Sequence, residues 1–184
     1  MRLVDPDVRY HRSYLAALDE AAAAGEAEVH RTLPAWPAEG RFPGVEFTRE
    51  GLEDPDTFAE LVRFLLRQRD PDEPRPRAYV PATQWWMAEA GEYVGGISLR
   101  HELNELLYEW GGHIGYSVRP SARRRGHATA ALLDVLEVCH DRGIDPVLVT
   151  CDVDNEASRR TIERAGGQYE DTRQGKLRYW ISVS

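Results

Sequence analysis

Hydrophobic and polar residues follow two different periods along this chain, and the change between them separates helical segments from strands. Residues 2–4 are typical of a short strand. From residue 8 to residue 24 apolar residues recur at helical spacing, and Gly25 ends the predicted helix. A second helix begins at Pro55, behind the capping residue Asp54. Its apolar stripe follows the spacing of one helix face and consists of Phe58, Leu61, Val62, Leu65 and Leu66.

The segment between these helices, residues 31–51, contains many prolines and glycines among isolated aromatic residues. This composition is unfavourable to regular structure but not to packing. We predict an ordered loop, and the sequence leaves open whether the loop faces a substrate or is an ordinary surface loop.

Beyond the prolines of residues 71–76 the spacing becomes that of strands. Residues 84–89 and 93–99 predict a hairpin, and residues 112–118 predict a third antiparallel strand. The second half of the sheet is therefore expected to start as an antiparallel meander.

Residues 126–139 return to helical spacing, and Gly143 ends that helix. Residues 147–151 are apolar without alternation, which is typical of a strand buried on both faces. Together with the strand before the helix, they predict a parallel βαβ crossover.

A last helix, capped by Asp154 or Asn155, and a closing hairpin of residues 168–170 and 176–183 complete the predicted order. The predicted fold class is α/β (α+β). It has a mixed, mostly antiparallel central sheet of about seven strands, with flanking helices and one parallel βαβ crossover.

Composition narrows the range of functions. The chain has 184 residues, which suits one domain, and a formal net charge of −8, which repels nucleic-acid backbones and anionic membranes. No apolar run is long enough to cross a bilayer and residues 1–7 do not resemble a signal peptide, so a cytoplasmic protein is expected. Cys139 and Cys151 form no CxxC pair and have no metal-site spacing, so we expect buried thiols and no metal.

Candidate chemistry is concentrated where the strand of residues 112–118 meets the next helix. The first N–H groups of a helix are unpaired and its dipole attracts anions. Gly126 and Ala128 leave the backbone accessible there, and four arginines add positive charge to an acidic protein. The nucleotide-binding spacings G-x-x-x-x-G-K-[ST] and G-x-G-x-x-G are absent. The segment therefore predicts a phosphate site without a catalytic metal, and the alternative is a solvated basic helix start.

Three segments, which follow one another along the chain as they do in that family, resemble the GCN5-related N-acetyltransferase (GNAT) family. Residues 123–128 match its signature [RQ]-x-x-G-x-[GA], and residues 112–120 are similar to its strand that runs into V-x-P. Residues 152–158, ending at Ala165-Gly166-Gly167, are similar to its N-x-x-[SA] … G helix. The resemblance implies an acyl-CoA N-acyltransferase-like fold and extends over the order of elements in the whole chain.

The resemblance also implies a single N-acetyltransferase domain over residues 1–184. Residues 1–78 would supply acceptor-side helices and a loop, and residues 79–184 the acetyl-CoA-binding core. Acetyl-CoA would lie where strands 112–118 and 147–151 splay apart, with the pyrophosphate on backbone amides and the pantetheine arm against the main chain of one strand. The implied binding residues are Val118, Arg123, Arg124, Arg125, Gly126, His127, Ala128, Thr129 and Asn155. For Asn155 a plain helix cap is the alternative.

The sequence departs from the family pattern at both catalytic positions. The glutamate that many relatives use as general base falls at about Gly112, and the tyrosine that often protonates the leaving thiolate falls at Ile162. The candidate catalytic residues are therefore His113, Glu109 and Tyr116. A structural role is the alternative for His113, and His101, Glu102, Tyr169 and Tyr179 remain further candidates.

The resemblance implies direct transfer of an acetyl group to a primary amine of a small molecule or peptide, which the sequence does not name. A catalytically silent CoA-binding regulatory or interaction module, and a transferase of longer acyl groups, are the alternatives. Members of the family often dimerise, so a homodimer is among the implied partners, whereas nucleic acid and membrane are not expected.

Overall fold

The structure, a computed structural model, describes residues 1–25 and 33–183. The strands are β1 (Arg2–Val4), β2 (Ala35–Trp36), β3 (Val45–Glu46), β4 (Ala82–Glu89), β5 (Glu92–Arg100), β6 (Ile114–Val118), β7 (Val147–Asp152), β8 (Gln168–Arg173) and β9 (Lys176–Ile181). The helices are α1 (His11–Ala23), α2 (Pro55–Arg67), α3 (His127–Asp141) and α4 (Glu156–Arg164). A five-residue π-helix, Leu107–Gly111, lies between β5 and β6.

Seven strands form the central sheet in the order β1-β4-β5-β6-β7-β9-β8. All neighbouring pairs are antiparallel except β6 and β7, which are parallel and joined through α3. The predicted mixed sheet with one βαβ crossover is therefore confirmed. Because β1 pairs with β4, the first residues of the chain contribute a strand to this sheet.

Each face of the sheet is covered by one pair of helices. On the α3/α4 face, Ile97, Ile114 and Val149 pack with the apolar sides of α3 and α4. On the α1/α2 face, Trp86 packs among the aromatic side chains of α1 and α2. The alternation of a strand explains why Trp86 is buried on this face while its neighbour Trp85 packs against the other core.

Two local features differ from the sequence-based expectation. The segment predicted as an ordered loop without regular structure contains a small β2–β3 hairpin, in which Ala35 pairs with Glu46 and Trp36 with Val45. Arg31 and Thr32 of that prediction lie outside the described residues. The π-helix before β6 was not predicted, since a single turn of five residues is too short to show a period.

The end of α1 is tied to the turn that follows β6. The carboxylate of Glu20 pairs with the guanidinium of Arg119 and accepts the backbone N–H of Ser121 at 3.2 Å. The Arg119 partner lowers the pKa of Glu20 to about 2. Arg119 also donates through Nη1 to the carbonyl of Tyr93 on β5 at 3.1 Å. This ion pair therefore connects α1, the central sheet and the turn.

We predict that Glu20→Gln lowers the free energy of unfolding at pH 7 by about 1–2 kcal/mol, because the pair is mostly shielded from solvent. The folded pKa of Glu20 lies below the unfolded value, so this stabilisation is complete above about pH 4.5 and declines as the pH falls toward 2. Urea unfolding of wild type and variant between pH 7 and pH 3 measures both effects.

Glu53→Gln is the matched control, because Glu53 pairs with Arg49 through a 68% exposed side chain. Removing a surface ion pair of this kind by Glu53→Gln is expected to lower the free energy of unfolding less than Glu20→Gln does. Equal losses in the two variants would contradict a special role for the Glu20–Arg119 pair.

Candidate active site

The parallel strands β6 and β7 are joined at one end only. Ile114 pairs with Val149, and the N–H of His113 donates to the carbonyl of Leu148 at 2.7 Å. From Gly115 onward β6 pairs only with β5, while β7 continues beside β9 to Asp152. The two strands therefore diverge beyond Ile114 and open a cleft toward the start of α3, which we call the split.

One edge of β6 along the split offers backbone groups for hydrogen bonding. The N–H of Arg119 donates to Val94 on β5 at 2.9 Å, so alternate residues such as Tyr116 and Val118 direct their backbone groups to the opposite edge. The carbonyl of Val118 accepts Nε–H of Arg123 at 2.9 Å. An extended arm could pair with this edge as an additional strand would.

The turn from β6 into α3 has the geometry of an anion site. Arg124 and Gly126 have positive φ angles of 62° and 82°, which turn successive N–H groups toward one side. A Cβ at Gly126 would meet no atom within 4 Å. No side chain caps α3 at Gly126, whereas Asp54 caps α2 and Asn155 caps α4. The amides of His127, Ala128 and Thr129 are thus left for an external acceptor.

Two of the arginines around this turn are already paired with carboxylates. Arg119 binds Glu20, and Arg125 pairs with Glu89 at the end of β4. His127 is buried with Nε2 3.7 Å from the same Glu89. The positive charge left for a ligand at this turn is therefore smaller than the four arginines of the sequence suggest.

Gly112 explains why the family's usual base is missing from this strand. Its φ angle is +64°, and a Cβ there would lie 2.7 Å from the carbonyl oxygen of Leu148. A glutamate at this position would thus meet the backbone of β7 in a conformation that side chains avoid. The close approach of the two strands excludes a side chain here.

His113 holds β6 to β7 rather than facing the split with a free nitrogen. Its Nδ1 accepts the N–H of Leu148 at 2.9 Å, so a neutral ring carries its proton on Nε2. Burial, together with the charge of Arg100, lowers the pKa of His113 to about 4. The expectation of a catalytic His113 loses support, because the nitrogen that could accept a proton is already bonded.

Glu109 lies in the π-helix, against the end of β7. Thr150 donates its hydroxyl to the carbonyl of Trp110 at 2.8 Å, which fixes this turn beside the strand. The carboxylate of Glu109 accepts Nη1–H of Arg173 at 2.6 Å through Oε1. Within residues 1–25 and 33–183, its Oε2 has no hydrogen-bond partner. One carboxylate oxygen of Glu109 is thus left to accept a proton.

Tyr116 spans the split from the other face. Its Oη lies 2.8 Å from Oγ of Ser158 on α4, and burial raises the pKa of the phenol to about 12. The sequence pointed to Tyr116 but not to Ser158, although Ser158 is the serine of N-x-x-[SA]. Asn155 caps α4, its Oδ1 accepting the N–H of Ser158 at 3.0 Å, which leaves its Nδ2 as a donor.

Other classes of site receive no support in the part of the chain that is described. None of its helices has the length and apolar character needed to cross a membrane. No group of three or more potential metal ligands occurs among the same residues.

Comparison with known proteins places residues 45–168 in the sequence family described as the acetyltransferase (GNAT) domain. No curated protein is significantly similar to the chain in sequence. A structure described as the Microcin C7 self immunity acetyltransferase MccE, in complex with acetyl-CoA and AMP, is similar with a TM-score of 0.62 and 14% identity. The match covers 98% of this chain and 91% of that one.

Two further solved structures are also similar. An acetyltransferase from Salmonella typhimurium that modifies the N-terminal serine of ribosomal protein L7/L12 matches with a TM-score of 0.59 and 17% identity, over 99% of this chain and 94% of that one. RimJ of Mycobacterium smegmatis, in complex with CoA-disulfide, matches with a TM-score of 0.58 and 19% identity, over 94% of this chain and 78% of that one. At these identities the likeness supports the fold.

We predict that Gly126→Glu lowers the affinity for CoA more than tenfold, because it puts bulk and negative charge in the open space beside the uncapped amides. Isothermal titration of CoA into the folded variant measures the effect.

Two variants separate charge from strain. Gly126→Gln adds similar bulk without charge and should weaken binding less. Gly143→Glu adds the same side chain at another open glycine with positive φ, beyond the far end of α3, and should not weaken binding. Unchanged affinity in folded Gly126→Glu would refute the placement of the anion site.

Proposed function

The chain belongs to the GNAT acetyltransferase family, whose co-substrate is acetyl-CoA, and on this premise we propose that it transfers an acetyl group directly to a primary amine held at the split. The observation that carries the proposal is the split itself, which leads from the uncapped amides of α3 to the point where β6 meets β7. An acyl-CoA molecule requires both features in this order, a diphosphate site and an extended channel.

The residues present fit this co-substrate. The amides of residues 127–129 and the side chain of Arg124 would hold the diphosphate, and the backbone N–H of Val118 on the outer edge of β6 would pair with the pantetheine arm. Asn155 could donate through Nδ2 to the arm from the other side. When bound, acetyl-CoA supplies the thioester that the amine attacks.

The proposed reaction needs no covalent intermediate on the protein. The amine nitrogen forms a bond to the thioester carbonyl carbon, the carbon–sulfur bond breaks, and the amine gives up a proton while the thiolate gains one. Both cysteines have raised pKa values because they are buried, so neither is suited to act as a nucleophile. Holding the two reactants together can supply an effective molarity of about 10⁵–10⁸ M.

We assign the removal of the amine proton to Glu109, acting through water. Of the three catalytic candidates it is the one with a carboxylate and an available oxygen. His113 instead positions β6 against β7, since its Nδ1 is bonded to Leu148.

Tyr116 is the proposed donor to the leaving thiolate. Its raised pKa keeps the phenol protonated at neutral pH, and its oxygen reaches across the split toward α4. The hydroxyl of Ser158 can replace the proton, because the two oxygens are within hydrogen-bond distance.

We predict that Tyr116→Phe lowers kcat about tenfold or more while changing the KM for acetyl-CoA little. Steady-state thiol release measures both constants. Tyr169→Phe is the control, since Tyr169 is an exposed residue of β8. An unchanged kcat in Tyr116→Phe would assign the proton to solvent.

A panel of primary amines tests the function itself. Free-thiol release from acetyl-CoA should occur with at least one class among peptide N-termini, peptide lysines and small amines, and mass spectrometry should show the acetylated product. Peptide N-termini come first, because the Salmonella typhimurium structure is described as an enzyme that modifies an N-terminal serine. CoA binding without turnover on any amine would favour a catalytically silent CoA-binding module. Faster thiol release from a longer acyl-CoA than from acetyl-CoA would favour a transferase of longer acyl groups.

A further inference from the structure

An arginine without an acidic partner in the described part of the chain lies on the acceptor side of the split. Arg100 ends β5, and its Nη1 donates to the carbonyls of Gly111 at 2.9 Å and Gly112 at 3.1 Å, directly before β6. These two bonds fix the plane of the guanidinium. Strand alternation places the side chain on the α1/α2 face, opposite Leu99.

The remaining donors of this guanidinium have no partner among residues 1–25 and 33–183. Within the described residues, no carboxylate lies within ion-pair distance of Arg100, and neither Nε nor Nη2 makes a hydrogen bond. Eleven other arginines form ion pairs with carboxylates of the same ranges, among them Arg119, Arg125 and Arg173. Burial lowers the pKa of Arg100, and no neighbouring acid offsets that cost.

The surface beside Arg100 is open because glycine occupies β6 there. A Cβ at Gly115 would lie 3.5 Å from Nη2 of Arg100 and 3.6 Å from Oγ of Ser98, which are ordinary contact distances. The fold would accept alanine at this position, so packing does not require glycine. The missing methyl group leaves Nη2 uncovered next to Gly115, the first residue beyond the last β6–β7 pair.

We propose that Arg100 binds an anionic group of the acceptor, a carboxylate or a phosphate, and so selects amines whose molecules carry negative charge close to the reacting nitrogen. This inference rests on the proposed function, because it takes the split as the place where the amine is held. A guanidinium held in place by two carbonyls presents its remaining N–H groups in a fixed fork that matches the two oxygens of such an anion.

The test compares acceptors that differ by one anionic group. The matched pairs are phosphoethanolamine and ethanolamine, glycylglycine and glycylglycinamide, and the amidated peptides Ser-Glu-Ala-Ala and Ser-Gln-Ala-Ala. Isothermal titration into CoA-loaded protein measures affinity for each, independently of turnover. The three pairs separate phosphate, small-molecule carboxylate and acidic peptide as the source of the anion.

We expect the anionic member of at least one pair to bind wild type tenfold or more tightly than its neutral partner. Arg100→Gln should bring this ratio close to one, and Gly115→Ala, which retains Arg100 but covers Nη2, should reduce it. Arg164→Gln, a change at an exposed arginine of α4, should leave the ratio as in wild type.

The inference is overturned if no pair shows a preference for the anion, including the case in which no member binds. It is also overturned if the preference survives in Arg100→Gln. A preference that depends on Arg100, without thiol release from acetyl-CoA, contradicts only the proposed function.

Discussion

The contact between β6 and β7 is the constraint on which the rest of the molecule depends. Parallel strands joined along their whole length would leave no room for a ligand, and strands that did not meet would break the sheet into two halves. Here the contact is limited to residues 113–114 and 148–149. The side chain of His113 reinforces it by accepting a backbone N–H of β7. The sheet is therefore continuous at residues 113–114, whereas β6 and β7 separate beyond Ile114.

Acidic residues moderate the positive charge around the cleft. Glu20 and Glu89 come from α1 and β4, distant in sequence from the turn, yet each neutralises one arginine beside it. The ion pairs anchor the turn to both α1 and the sheet. The chain therefore uses part of its arginine cluster to position the backbone.

Elements with a clear period were predictable from the sequence. The stripe of α2, the buried strand β7 and the glycine that precedes α3 were all found from local patterns, because local spacing determines which face is apolar. Ion pairs such as Glu20–Arg119 were not found, since they join residues about a hundred positions apart without a shared motif. Arg100 was missed for a related reason: its significance is the lack of an acidic neighbour in space. The turn into α3 carries a sequence motif and could be predicted. The choice among the candidates His113, Glu109 and Tyr116 depends on which of their atoms are already hydrogen-bonded, and only the structure shows this.

The crowding at Gly112 restricts how this protein can change over evolutionary time. A single codon change to glutamate cannot install the carboxylate that many relatives carry on this strand, because the backbone of β7 occupies the volume its side chain would need. Restoring that arrangement would require β7 to withdraw first, and this would loosen the junction that His113 maintains. A carboxylate supplied by a neighbouring loop would therefore disturb this junction less than one carried by the strand itself.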